Sequence, residues 1–368
     1  MKIETKEFSL TNFQWFSVVF CTILGAGIIT LPRTVADVAG RDGWLSVIVA
    51  GGIICILATL IWLLCKRFPT KTLPEFAILI LGRPLGIFAS ILYAFYAFVA
   101  AGIVLRIFVE LIRTWVLIWT PAPVVILTIL LPTVYISRMG ATTLGRLMEL
   151  VTMMTVVVLL LWLVPIGEFN LLNLRPVGAE GLLAIVQGGQ EATFSFLGFE
   201  VMLVFFPLMR NRNKVLHVTL LALGVITLLY AGNVALTHGV LGVEQTLLQQ
   251  WPLMNYLRVG MLPFLKRVDS IVLFFWTAKI LAGIAVQYFA GTFVLATLTG
   301  RNYHDIWALV CVPLVYIFSV LPENLATVVV ISDLFSRGSV FGIMGLTMLL
   351  LVVAKVRGLD ESKEEKQL

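Results

Sequence analysis

Apolar runs of about 20 residues recur ten times along this chain, and each is long enough to cross a bilayer as a helix. Lipid offers the backbone no hydrogen-bond partners, so only helices and closed barrels span it. Hydrophobic residues make up 60% of the chain and charged residues 12%, against about 25% charged in soluble proteins. We therefore predict an all-α integral membrane protein with ten transmembrane helices, spans 1 to 10, at about 11–39, 44–65, 86–112, 121–137, 146–165, 182–208, 215–241, 269–299, 305–321 and 338–355.

Two of these spans are interrupted near their middles. Span 1 contains Gly25, Ala26 and Gly27, and span 6 contains the run from Ser195 to Phe199. A break frees backbone groups that lipid cannot satisfy, so such breaks line protein-enclosed cavities and indicate a binding site. The alternative is that the glycines only let neighbouring helices pack closely. Two breaks at matching positions favour the binding site.

The breaks lie in the first span of each half of the chain, and each half has five spans. Five spans reverse the orientation of the second half, which is the plan of an inverted-repeat transporter. We predict one transmembrane domain, residues 1–357, with repeats at about 11–165 and 182–355. A short charged tail, 358–368, is expected to be a frayed cytoplasmic end.

The distribution of basic residues predicts the topology. With the N-terminus inside, cytoplasmic segments hold 16 of the 26 Lys and Arg residues and outer segments hold 8, Arg337 among them. Arg106 and Lys279 lie within spans. This bias places both termini in the cytoplasm.

Several function classes are not supported by the sequence. The basic residues are scattered between spans, so nucleic acid is not an expected partner. The four cysteines have no metal-type spacing. No metalloprotease, nucleophile-elbow, P-loop or dinucleotide motif occurs, so we expect no enzyme activity, cofactor or metal.

The ends of the broken helices suit a zwitterionic amino acid. The second half of span 1 offers free N–H groups to a carboxylate, and glycines let the ligand approach the backbone. The carbonyl groups near Ser195 to Leu197 can accept hydrogen bonds from an ammonium group. Tyr96, near the middle of span 3, is the preferred side-chain contact, and Tyr288 on span 8 is another candidate. Packing is the alternative role for both rings.

Ionisable residues within spans are costly and are functional candidates by default. Glu200 follows the span 6 break, where it either caps a half-helix or acts as a gating or proton-sensing carboxylate. Lys279 is expected to be buried and paired, and one hypothesis places its ammonium where a coupling cation would bind near the span 1 break. Glu191 is either its partner or an outer-vestibule residue. Arg106 and Glu110 are expected to form a structural ion pair.

Two shorter apolar segments are not expected to cross the membrane. Residues 242–268 predict an interfacial or lid-forming helix over the outer face. Residues 73–81 form a short apolar piece on the inner side.

The chain resembles the endospore germination permeases, the GerAB family of germinant-receptor B subunits, within the wider amino acid/polyamine/organocation (APC) permease group. Glycine, proline and charged motifs carry the resemblance along nearly the whole chain, at 25–32, 41–45, 68–73, 81–86, 120–121, 135–149, 194–207 and 266–279.

This resemblance implies a ten-helix LeuT-like core that binds a small germinant, usually an amino acid, in the spore inner membrane. It also implies assembly with a receptor A subunit and a lipoprotein C subunit. By resemblance, the pocket is lined by parts of spans 3 and 8 and by both breaks, that is, by Gly25, Ala26, Gly27, Ser195, Phe196, Leu197, Gly198 and Phe199.

Three functional hypotheses follow. The favoured one is a germinant-sensing receptor subunit that signals to its partner subunits. The first alternative is an autonomous proton-coupled amino-acid transporter in which Glu200 or Lys279 titrates. The second alternative is a structural membrane scaffold that binds no ligand.

Overall fold

The computed structural model describes residues 9–261, 267–300 and 304–361. Within these ranges the chain is almost entirely helical, as predicted. Six helices and one bent pair are long and apolar enough to cross a membrane, and three shorter apolar helices complete spans 1, 4 and 9. Most of the predicted charged tail, 362–368, and residues 262–266 of the outer connection lie outside the described residues.

The first repeat contains spans 1 to 5 and one short helix on the inner side, the side that holds both termini in the predicted topology. Span 1 consists of two helices separated by a three-residue gap. In chain order the helices are α1 (Asn12–Ile23) and α2 (Gly27–Ala39) in span 1, α3 (Gly43–Arg67) in span 2, the short α4 (Leu73–Leu81), α5 (Arg83–Trp115) in span 3, α6 (Ala122–Arg138) in span 4 and α7 (Ala141–Leu160) in span 5.

The second repeat contains spans 6 to 10 and two short helices on the outer side. Span 6 bends by 51° at its break. In chain order the helices are α8 (Gly181–Thr193) and α9 (Met202–Phe205) in span 6, α10 (Val215–Leu241) in span 7, the short α11 (Val243–Leu248) and α12 (Pro252–Val259), α13 (Val268–Thr299) in span 8, α14 (His304–Val310) and α15 (Val312–Val320) in span 9 and α16 (Leu325–Val356) in span 10.

The two sides of the bundle are packed differently. On the outer side, α2 and α8 pack on each other and on α3, and neither packs extensively on α5 or α13. On the inner side, α1 packs closely against α7, α10 and α13. The protein is therefore closed on the inner side and less tightly packed between its outer half-helices and spans 3 and 8.

A main-chain contact closes the inner side further. The Leu10 N–H donates to the Leu208 carbonyl at 2.8 Å, and the Arg210 N–H donates to the Leu10 carbonyl at 3.0 Å. Thr11 then begins α1 with a capping box, in which its hydroxyl accepts from the Gln14 N–H at 3.2 Å. The inner ends of the two broken spans are thus joined directly.

The short segments outside the spans largely follow the sequence prediction. The apolar piece at 73–81 is α4. The described part of the outer connection forms α11 and α12, which pack over α2 and α10. This agrees with the prediction of a covering segment on the outer face.

Two predictions from the sequence are wrong: the start of span 10 and the frayed state of the charged tail. Span 10 begins at Leu325 rather than near 338, because Asp333 and Arg337 interrupt its apolar run without ending the helix. Arg337 therefore lies within a span and not in an outer segment. The start of the charged tail is docked rather than frayed: Glu361 is only 8% exposed and accepts a hydrogen bond from the Thr70 N–H at 3.1 Å.

Candidate ligand site at the paired breaks

The two breaks lie side by side. A Cβ added to Gly27, the first residue of α2, would lie 3.1 Å from the Ser195 hydroxyl oxygen. A larger residue at position 27 would therefore press on the break in span 6. The structure thus brings together Gly27 and Ser195, which are 168 positions apart in the chain and were predicted to share a site.

Gly198 is required by the bend in span 6. Its φ of +129° lies in a region that L-residues rarely adopt, and an added Cβ would lie 2.9 Å from the Thr22 Cγ2 atom. Helical turns end at Phe196 and resume at Phe199. The conformation of Gly198 therefore allows both the bend and the close approach of span 1.

Gly25 is less tightly enclosed than the other glycines of the breaks. A Cβ added there would come no closer than 3.8 Å to other atoms, and these are backbone carbonyl oxygens of Thr22 and Ile23. Ala26 is buried, at 4% exposure, and directly precedes α2. A small side chain would therefore fit at Gly25, whose carbonyl accepts a hydrogen bond from Trp276 Nε1 at 3.3 Å.

Tyr230 on α10 joins the two breaks. Its hydroxyl lies 2.8 Å from the Ile23 carbonyl oxygen at the end of α1 and 3.1 Å from the Ser195 carbonyl oxygen. Its ring packs edge-on against Phe196, with centroids 5.0 Å apart. Tyr230 is not among the site residues predicted from the sequence, although a tyrosine in the middle of an apolar span is a signal for a buried polar contact.

The same helix carries further polar contacts to span 1. The Asn233 amide donates to the Ile28 carbonyl at 2.9 Å, and His238 Nε2 lies 3.0 Å from the Pro32 carbonyl oxygen. Tyr230, Asn233 and His238 fall on one side of α10 at helical spacing. Asn233 and His238 join α2 to span 7, and neither is among the site residues predicted from the sequence.

Lys279 lies beside the C-terminal end of α1, where the span 1 break begins. Its ammonium is 3.5 Å from the Cys21 carbonyl oxygen and lies over the rings of Phe20 and Trp276, at 5.3 and 5.6 Å from their centroids. The residue is 1% exposed, so the prediction of a buried lysine is confirmed. Its contacts are a carbonyl and aromatic faces, and Glu191 is not its partner.

Glu191 pairs with a different cation. Its carboxylate lies 3.2 Å from the Arg337 guanidinium on α16. The predicted ion pair between Arg106 and Glu110 is confirmed, with a separation of 2.9 Å.

Glu200 is fully buried and bound by three donors. The Tyr96 hydroxyl donates to one carboxylate oxygen at 2.7 Å, and Gln287 Nε2 donates to the same oxygen at 3.0 Å. The Gly198 N–H donates to the other oxygen at 2.7 Å. Glu200 therefore caps the second half of span 6 and connects it to spans 3 and 8.

The two buried charges complement the dipoles of the broken helices. The Lys279 ammonium lies at the carbonyl end of α1. The Glu200 carboxylate lies at the N–H end of the part of span 6 that follows the break, which we call its lower half; α8 is its upper half. Each arrangement is favourable because a helix is partially negative at its C-terminus and positive at its N-terminus. The N-terminus of α2 and the C-terminus of α8 carry no such fixed charge in the contacts described above.

Of the other predicted site residues, Leu197 and Phe199 lie at the span 6 break and Tyr288 lies away from both breaks. Leu197 and Phe199 line a small apolar pocket together with side chains of α3 and α16. Tyr288 is directed away from the breaks, because its hydroxyl donates to the Ala308 carbonyl at 2.7 Å and its ring packs on Phe98. Gln287, its neighbour in sequence, is the residue of span 8 that reaches Glu200. Among the described residues, no group of three His, Cys, Asp or Glu side chains is arranged to hold a metal ion.

Comparison with known proteins agrees with this architecture. The family model described as spore germination protein (Spore_permease) matches residues 9–328. Spore germination protein YndE of Bacillus subtilis is 28% identical over 356 residues, which cover 95% of this chain and 97% of YndE.

Solved structures show the fold. A substrate-bound, outward-open Na⁺-coupled sialic acid symporter superposes with a TM-score of 0.61 at 13% identity, covering 92% of this chain and 78% of the symporter. MhsT in complex with L-phenylalanine superposes with a TM-score of 0.59 at 12% identity, covering 93% and 97% of the two chains. The chain has the LeuT fold of these transporters, and it belongs to the Spore_permease family of spore germination proteins.

Proposed function

We propose that this chain is the germinant-binding membrane subunit of a spore germination receptor. The observation that supports this most directly is the junction of the two breaks, where the Tyr230 hydroxyl contacts carbonyl oxygens of both Ile23 and Ser195. A molecule bound at this junction would contact both broken helices at once. Family membership makes germination the biological setting.

The ligand that best fits the junction is an amino acid in its zwitterionic form. Lys279 and Glu200 neutralise one helix end at each break, which leaves the N-terminus of α2 for a carboxylate and the C-terminus of α8 for an ammonium. Gly25, the least tightly enclosed of the glycines at the breaks, lies beside the first of these ends. MhsT, which shares the fold, was solved with an amino acid, L-phenylalanine.

The ligand would enter from the outer side. The outer half-helices carry polar side chains on faces that do not pack on α3, including Thr34 on α2 and Gln187 and Gln190 on α8, all of which are exposed. Lipid is a poor environment for such faces, so we place water there. The inner side is closed by the contacts of α1 and Leu10.

The response to binding would be a movement passed to partners rather than a chemical step. We assign the chain no catalytic activity, and we place it in the spore inner membrane with both termini in the cytoplasm, together with receptor A and C subunits. A ligand can drive such a movement only by binding one conformation more tightly than another.

Binding can be tested on the purified protein in detergent or nanodiscs. We expect at least one of the twenty standard amino acids to raise the melting temperature, because a ligand stabilises the state it binds. Gly25→Leu should abolish that shift, because the longer side chain would occupy the space beside the break. Gly52→Leu is the matched control, since Gly52 faces open space on α3 away from the breaks. If no amino acid stabilises the wild-type protein, or if Gly25→Leu still responds, this assignment of the ligand site is wrong.

The second candidate is a proton-coupled amino-acid transporter. The observation that favours it is the position of Glu200, a fully buried carboxylate directly after the span 6 break, because ionisable residues within membrane spans mark ion and proton pathways. Liposomes that contain only this chain would decide between the two. Accumulation of labelled amino acid under a pH gradient, lost in Glu200→Gln, would establish transport and contradict a purely sensing role.

A further inference from the structure

The last span is linked to span 6 on both sides of its break, directly on the upper side and through Tyr96 of span 3 on the lower side. Arg337 of α16 reaches the upper half through Glu191, and Phe335 of the same helix stacks on Tyr96, which binds Glu200 in the lower half. We propose that α16 moves when the angle between the two halves of span 6 changes and that it transmits this movement. Arg337 is the positioning residue of the upper contact. This deepens the proposed function, because it identifies the element that would carry the signal away from the ligand site.

The upper contact is an ion pair deep within the membrane. Glu191 lies ten residues into α8 and Arg337 twelve residues into α16, which is about 15 and about 18 Å from their outer ends at 1.5 Å per residue. The hydrocarbon core is about 30 Å thick and the 32-residue α16 is longer than that, so we place both charges within the core rather than at its surface. Their side chains are 26% and 57% exposed. Charges at this depth are costly against lipid, so we infer that they face water and each other.

The geometry of the upper contact favours a specific pairing. The Arg337 Nη2 atom lies 3.2 Å from both carboxylate oxygens of Glu191. Apart from the turn that follows α8, the two helices make few other close contacts. The ion pair is therefore a principal link between α16 and the upper half of span 6.

The lower contact is a chain of three side chains. The rings of Phe335 and Tyr96 are stacked, with centroids 5.6 Å apart and planes 10° apart. The Tyr96 hydroxyl then donates to Glu200 at 2.7 Å. Phe335 and Arg337 are only two positions apart, so a single turn of α16 is connected to both sides of the bend.

A change in the 51° bend would therefore displace this turn of α16, break one of its two links, or move Tyr96 and span 3 with it. The inner end of α16 is connected in turn to the inner surface. The Arg357 guanidinium donates to the Ile80 carbonyl of α4 at 2.6 Å, and Glu361 binds the Thr70 N–H. Movement of α16 would thus reach the segment between spans 2 and 3.

The distance between α8 and α16 tests the upper contact without any ligand. Spin labels at Leu182→Cys and Ala326→Cys, both exposed positions near the outer ends of these helices, report this distance by double electron–electron resonance in the full chain, with Cys55 replaced by Ser. We expect a narrow distribution that Arg337→Gln or Glu191→Gln broadens. The exchange Glu191→Arg with Arg337→Glu should restore the narrow distribution. Glu323→Gln, an exposed carboxylate just before α16, is the control and should change nothing.

The same labels test transmission. An amino acid that stabilises the wild-type protein should shift the α8–α16 distance, and in Arg337→Gln the shift should be lost while the stabilisation is kept. Phe335→Leu, which removes the ring stacked on Tyr96, should likewise lose the shift.

The outcomes separate the two proposals. An unchanged distribution in Arg337→Gln without ligand, or a normal ligand-induced shift in that variant, would overturn the role of α16. If no amino acid stabilises the wild-type protein, the proposed ligand class fails, while the ligand-free distances still decide whether the ion pair holds α16.

Discussion

The Asn233 side-chain amide donates to the Ile28 carbonyl at 2.9 Å, and it supplies the hydrogen bond that Pro32 removes from α2. Proline has no N–H, so the carbonyl four residues before it has no helical donor. Inside a membrane such a carbonyl must be satisfied by protein. Span 7 therefore completes the backbone of span 1 just above the break.

Replacement of Asn233 by Leu should destabilise the protein. The Ile28 carbonyl would be left buried without a donor, at a cost of about 1–3 kcal/mol. Thr128→Val on α6 is the control, because the Thr128 hydroxyl is exposed and bonds only to the Val124 carbonyl of its own helix. Thermal unfolding in detergent measures both. Equal melting temperatures for the two variants would show that Asn233 does not have this role.

Tyr230→Phe should weaken ligand binding more than stability. The variant keeps the ring that packs on Phe196 but loses the hydroxyl shared by the two breaks, and a hydrogen bond contributes about 0.5–1.5 kcal/mol to stability. Tyr256→Phe is the matched control, since the Tyr256 hydroxyl bonds to the Trp162 carbonyl on the outer side. Calorimetric titration with a stabilising amino acid should show a lower affinity for Tyr230→Phe alone. A similar loss in both variants would argue against a special role for Tyr230.

Gly198→Ala should be strongly destabilising. Alanine at a φ of +129° is strained, which costs about 1–3 kcal/mol, and its methyl group would also press on Thr22. Gly224→Ala on α10 should be neutral or stabilising, by up to about 1 kcal/mol, because that helical glycine faces open space. Melting temperatures that move in opposite directions would confirm the prediction. A tolerated Gly198→Ala would mean that the bend does not depend on this glycine.

Lys279→Met should leave the fold intact and impair binding. Methionine has a similar length and avoids the cost of burying an ammonium group, so the melting temperature should not fall. The carbonyl end of α1 would lose its cation, and affinity for the amino acid should fall about tenfold, equivalent to about 1.4 kcal/mol. Lys66→Met, which removes an ammonium that lies over Trp62 at the inner end of α3, is the control. Unchanged affinity in Lys279→Met would exclude an electrostatic contribution to the ligand site.

Much of the fold could be predicted because a bilayer imposes strong local rules. A span needs a long apolar run, and a break in a span is indicated by glycine and proline residues within that run. Both features can be recognised without knowledge of tertiary contacts. Ten spans, two breaks and a buried Lys279 were recognised on this basis. The same rules misplaced the start of span 10, because charges within a span were taken as its boundary although Arg337 lies inside the helix beside Glu191.

The partners of the polar residues could not be predicted in the same way. Whether a side chain in the middle of a helix meets the break depends on the rotation of that helix and on neighbours that are distant in sequence. Gln287 reaches Glu200, whereas the adjacent Tyr288 binds Ala308 on the other side of α13. Glu191 was predicted to be either the partner of Lys279 or an outer-vestibule residue, and the packing of α16 instead pairs it with Arg337.

The sequence by itself determined that this chain is a ten-span membrane protein with matching breaks in spans 1 and 6, because chain length, apolarity and glycine are local properties that the bilayer constrains. The tertiary structure decided that Tyr230 joins those breaks, that Lys279 and Glu200 neutralise opposite helix ends, and that α16 is linked to one half of span 6 by Arg337 and to the other through Tyr96. These relationships depend on contacts between helices far apart in the chain, which side-chain packing sets and no local pattern records.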